Sequence, residues 1–89
     1  MPQIQLDIDN EVGLHARPAA LFVQTANKFQ SSITVQNGET VADAKSILEV
    51  LTLGAGKGAS IVIRAEGEDA AQALQALQEL IAGNFGEGA

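Results

Sequence analysis

No cysteine occurs among the 89 residues, so nothing staples this chain covalently, and thiolate zinc sites and thiol chemistry are excluded. That lack suits a reducing compartment, and a cytoplasmic protein is expected. Tryptophan and tyrosine are missing too, with only three phenylalanines in their place. Stacking platforms for single-stranded nucleic acid are therefore absent. Bases are scarce: five Lys and Arg against eleven Asp and Glu give a net charge of −6, the wrong sign for a binder of phosphate backbones. No apolar run nears the ~20 residues of a membrane span, and no basic-then-apolar leader opens the sequence. Membrane insertion is not expected.

What remains is 46% hydrophobic, enough for one modest core. A single domain over residues 1–89 is expected, with 83–89 as a frayed tail. Ile4-Gln5-Leu6-Asp7-Ile8 alternates like a half-buried strand. From Ala19 the period changes: Phe22, Val23, Ala26 and Phe29 fall on one helical stripe, with Pro18 in its first turn. Ser32-Ile33-Thr34-Val35-Gln36 alternates again, and Asn37-Gly38 signals a two-residue hairpin into Thr40-Val41-Ala42. Ser46 and Glu49 read as a capping box opening a short helix to about Leu53. Gly54, Gly56 and Gly58 follow as a crossing loop. Ile61 to Ala65 reads as a fourth strand. Ala70, Ala73, Leu74, Leu77, Leu80 and Ile81 mark a last helix, with Glu68 and Asp69 complementing its positive end.

The element order is thus β-α-β-β-α-β-α. Helices covering one face of a mostly antiparallel sheet make an α+β open-faced sandwich. Gln3, Gln5, Asp7, Thr34 and Gln36 suit the uncovered face.

One histidine is present, His15, within Gly13-Leu14-His15-Ala16-Arg17-Pro18. It stands at a loop-to-helix junction, where unpartnered backbone N–H groups and the helix dipole favour an anion. Arg17 adds a guanidinium fork matched to phosphate oxygens. A neutral imidazole nitrogen here can take a phosphoryl group and give it away. The plain alternative is a surface histidine without chemistry. A Ser–His–Asp arrangement is not excluded by spacing, although no nucleophile elbow accompanies it. Metal ligation has no second histidine to draw on. Gly54-Ala55-Gly56-Lys57-Gly58 lacks the G-x-x-x-x-G-K-[ST] pattern and follows a helix, which makes it a crossing loop rather than a nucleotide loop. Lys28, Lys45 and Lys57 read as solvated charges.

Gly13-Leu14-His15-Ala16-Arg17-Pro18-Ala19-Ala20 closely resembles the phosphorylation-site motif of the HPr family, phosphocarriers of the bacterial phosphoenolpyruvate:sugar phosphotransferase system (PTS). Lys45-Ser46-Ile47-Leu48, then Leu53-Gly54, resembles the family's second signature, and the likeness runs from Ile4 to about Ala82. The resemblance implies a four-stranded antiparallel sheet in order 1-4-2-3 with three helices on one face. It implies that enzyme I passes a phosphoryl group to the Nδ1 nitrogen of His15, and that an enzyme IIA domain receives it. Arg17 would compensate charge, with the helix start at Ala16, Arg17 and Pro18 cradling the phosphate. No metal or organic cofactor is implied, and the protein would be a carrier, not a turnover enzyme.

A partner-docking patch around His15 is expected from Ala20, Gln24, Ile47, Leu48 and Leu51. Core packing is the alternative for the last three, while Val50 reads as core. Ser46 is either a helix cap alone or also the acceptor for an HPr kinase/phosphorylase, as the resemblance implies for some members. Val12 stands where the family usually has a small polar residue. Gln24, Asn27 and Glu49 stand where many members carry Lys or Arg. These departures leave the partner open: sugar uptake, a nitrogen-regulatory branch, or an incomplete system. Two rivals remain, a regulatory paralogue acting by contact and an unrelated small α+β ligand-binding module. A carrier of this size is expected to be a monomer.

Overall fold

The computed structural model describes residues 2–8, 16–56 and 58–83, with Ala16 as backbone only. Seven elements follow in order: β1 (Gln3–Asp7), α1 (Ala16–Ala26), β2 (Ser32–Asn37), β3 (Thr40–Asp43), α2 (Ile47–Leu51), β4 (Ser60–Glu66) and α3 (Ala70–Ala82). The strands form one antiparallel sheet in the order β1-β4-β2-β3. β4 is central because its alternation suits two neighbours and one covered face. Ile61, Ile63 and Ala65 point into the core, while Val62 and Arg64 lie half-buried on the other face.

The helices close the inner face with matching stripes. Ala19, Phe22 and Ala26 of α1 and Ala70, Ala73, Leu74, Leu77 and Ile81 of α3 are buried against Ile33, Val35, Ile61 and Ile63. Each large apolar side chain removed from water this way contributes about 1.5–3 kcal/mol before chain entropy opposes it. On the open face, Arg64 of β4 sits opposite Gln3 of β1 and Thr34 of β2. Its Nε donates to Gln3 Oε1 and its Nη1 to Gln36 Oε1, both at 2.8 Å. Gln5 Nε2 donates to Ser60 Oγ at 2.8 Å alongside. Arg64 thus finds uncharged partners on both neighbouring strands of this face.

Five local readings change in the structure. The stripe of α1 does not run through Phe29, because the helix ends at Ala26. Lys28 and Phe29 then make i→i−3 bonds to Thr25 and Ala26, tightening the exit, and Phe29 packs on the core from that turn. The hairpin turn is Gly38-Glu39, one residue later than Asn37-Gly38. Asn37 still pairs with Thr40, and its Nδ2 donates to the Leu53 carbonyl at 2.9 Å, while Gly38 takes the positive φ of 63°.

The capping box forms by half. Ser46 Oγ accepts from the Glu49 N–H at 3.4 Å, but the Ser46 N–H already bonds the Asp43 carbonyl. Glu49 Oε1 therefore accepts from the Asp43 N–H instead, at 3.1 Å, on the edge strand β3. α2 stops at Leu51, short of Leu53, where Thr52 Oγ1 donates back to the Glu49 carbonyl at 2.6 Å. Lastly, Asp69 is more than a complement to the dipole of α3. Its carboxylate accepts from the Gln30 and Ser31 N–H groups, each at 2.9 Å, and from the Ser31 hydroxyl.

Candidate functional site

His15 lies outside the described residues, as do Val12, Gly13, Leu14 and Lys57. The chain immediately after His15 is described, and α1 begins there at Ala16. Arg17 is exposed in the first turn. Pro18 is fully buried in that turn, anchoring the start of α1 to the core. Lacking an N–H, Pro18 can offer an anion only the shape of the turn, whereas Ala16 and Arg17 keep backbone N–H groups that no intrahelical carbonyl satisfies.

Further along α1, Ala20 is half-buried and Gln24 exposed. α2 packs beside α1. Asn27 ties the two together: its Nδ2 donates to the Val23 carbonyl at 2.9 Å and to the Lys45 carbonyl at 3.3 Å. Lys45 is no solvated charge, since its Nζ donates to the Phe29 carbonyl at 2.6 Å. Asn27 and Lys45 thereby fix the approach of α2 to the end of α1. The sequence shows only that both side chains are polar, because their acceptors lie 18 and 16 residues away.

α2 presents an apolar surface to solvent. Ile47 is 37% exposed, Leu48 75% and Leu51 42%, whereas Val50 is 0% exposed in the core. A five-residue helix has one inward position per turn, and Val50 fills it. Ser46 is half-buried at the N-cap with extended backbone. The glycine-containing stretch after α2 connects back to the sheet, the Gly58 N–H bonding the Ile8 carbonyl at 2.7 Å. Among the described residues no helix is long and apolar enough to cross a membrane.

The chain matches the family model described as the phosphorylation site of the PTS HPr component, over residues 2–83. It is 45% identical over 89 residues to the phosphocarrier protein HPr of Pseudomonas aeruginosa, covering 99% of either chain. The solved structure of HPr-C-His from Thermoanaerobacter tengcongensis is similar at a TM-score of 0.97 and 46% identity, covering 100% of both chains. An HPr dimer from the same organism gives 0.79 at 47% identity, covering 98% of this chain and 100% of that one. Sheet order, helix placement and these relatives define the class, an open-faced α+β phosphocarrier. The chain belongs to the HPr family of the PTS.

Proposed function

We propose that this chain relays a phosphoryl group through His15, taking it from phosphorylated enzyme I, for which phosphoenolpyruvate is the source, and passing it to an enzyme IIA domain. The observation that carries the reading is the run Gly13 to Ala20 at the head of α1, in a chain that matches the family over residues 2–83. In the first transfer the Nδ1 lone pair of His15 forms the new P–N bond while the donor's bond to phosphorus breaks. The second transfer reverses these roles and returns a neutral imidazole. Backbone N–H groups at the start of α1 and the exposed fork of Arg17 supply the charge compensation that phosphoryl transfer needs. The carrier forms no product of its own, so it turns over only as part of the relay.

Docking falls to Ala20 and Gln24 of α1 with Ile47, Leu48 and Leu51 of α2, a small apolar face that suits a partner bound and released twice per cycle. The whole chain acts as one domain and as a monomer in the cytoplasm. A regulatory phosphate would fall on Ser46, at the start of α2. Its hydroxyl already caps α2, and Glu49 three residues on would repel an added phosphate.

The test is the intact mass after mixing the chain with phosphoenolpyruvate, Mg²⁺ and the enzyme I of its own organism. One acid-labile phosphoryl group is expected, and none in His15→Ala. No gain by the parent chain sinks the carrier reading and leaves a role by contact alone.

A further inference from the structure

The sheet ends in two edge strands whose outer backbone groups are treated differently. On β1 the Pro2 carbonyl accepts from the Ala65 N–H, and Ile8 exchanges bonds with Gly58 and Ala59, so the even-numbered residues face β4. By the two-residue alternation of a strand, Gln3, Gln5 and Asp7 turn their N–H and C=O groups outward. Among the described residues nothing bonds to these groups. β3 is arranged otherwise. The Ala44 N–H donates to the Ile33 carbonyl at 3.0 Å, so Ala42 also faces β2 while Val41 and Asp43 face outward. Both backbone groups of Asp43 are taken from within the chain. Its N–H donates to Glu49 Oε1 at 3.1 Å, and its carbonyl accepts from the Ser46 N–H at 3.0 Å. Val41, 54% exposed, is left as the open residue of that edge.

Two open edges would let sheets join head to tail, β1 of one copy adding to β3 of the next. That contact is heterologous and does not close, so it would propagate. We infer that Glu49 guards the β3 edge: by holding the Asp43 N–H and setting a carboxylate there, it keeps β1 of a second copy from adding. The inference rests on the single-copy state proposed above and names its cause. A strand adding to β3 needs outward donors, and the N–H groups of Val41 and Asp43 are the two that this strand turns outward. With Asp43 taken one is left, and the carbonyl oxygens of the incoming strand meet a negative charge beside it.

Sedimentation of the full chain over a range of concentrations tests it. The parent stays a single copy, and Glu49→Gln, which keeps an oxygen for the Asp43 N–H, follows it. Glu49→Ala associates at concentrations about tenfold lower than the parent, the worth of one regained hydrogen bond, and into species larger than a pair. Adding Val41→Lys to Glu49→Ala sets a charge on the open residue and restores the single copy. Glu49→Ala that sediments like the parent overturns the inference. So does association that Val41→Lys leaves in place, which is also what unfolding would give. Association of the parent itself separates the two readings. If Val41→Lys in the parent abolishes it, the β3 edge is open despite Glu49 and the inference falls. If Val41→Lys leaves it, the single-copy reading alone falls, and Glu49 is judged by the further association that Glu49→Ala adds and Val41→Lys removes.

Discussion

Asp69, the residue before α3, holds Ser31, the residue before β2, across 38 positions of sequence. One carboxylate oxygen accepts from the Ser31 N–H and hydroxyl, and the other accepts from the Gln30 N–H. Three donors at the entry to a core strand are thereby satisfied by one side chain, and Ser31 itself is only 2% exposed. The bonds favour the ionised form and hold the Asp69 carboxyl below its ordinary value of 3.8, the Ser31 hydroxyl contributing most. A depressed carboxylate lends stability that is fully present above that ordinary value and is lost as pH falls through the lower, folded one. Asp69→Asn should lower the melting temperature at neutral pH and flatten its fall below about pH 4, where the wild-type chain loses this contribution. Thermal melts from neutral to strongly acidic pH check it. An unchanged acid limb would show that other carboxylates govern acid unfolding.

Gly67 closes the same corner. Its φ is +146°, and a Cβ there would stand 2.8 Å from the Ser31 Cα and 2.5 Å from its Oγ. Backbone cannot yield as a flexible side chain does. Gly67→Ala is therefore expected to cost more than about 1 kcal/mol, measured by urea unfolding. The loss should be largely non-additive with Asp69→Asn, since both loosen one junction.

Neighbours on α2 should respond oppositely to truncation. Val50→Ala removes buried methyl groups and is expected to cost about 2 kcal/mol. Leu48→Ala, at a site 75% exposed, should stay within about 0.5 kcal/mol of the parent while weakening partner binding. Equal losses of stability in the two variants would mean that Leu48 packs into the fold and is not free to dock.

Arg17 should matter for rate and not for stability. Its side chain is exposed, so Arg17→Ala is expected to melt like the parent. Labelling of His15 should slow by about 10²-fold without vanishing, because the N–H groups at the start of α1 remain. Quenched-flow transfer from enzyme I measures this, and an unchanged rate would make Arg17 a bystander.

Much of the fold is legible in short windows of sequence. The alternation of Ile33 and Val35, the stripe of Phe22 and Ala26, and the Ser46 cap each depend on residues within a turn or two of one another. Such neighbours carry their own geometry, so the order of elements and the family signature around His15 could be read directly. The misread details share another character. Phe29 leaves the helix where the chain tightens and Lys45 reaches its carbonyl, Glu49 turns to the edge of β3, and Asp69 reaches back to Ser31. Each outcome depends on which segment packs alongside. The sequence by itself determined the elements, their order and the phosphoryl-carrier motif, because periodicity and capping are local. The packing of the helices on the sheet settled what short windows left open, that Ile47, Leu48 and Leu51 face solvent and that Asp69 clamps Ser31, because a side chain's partner is chosen by distance in space.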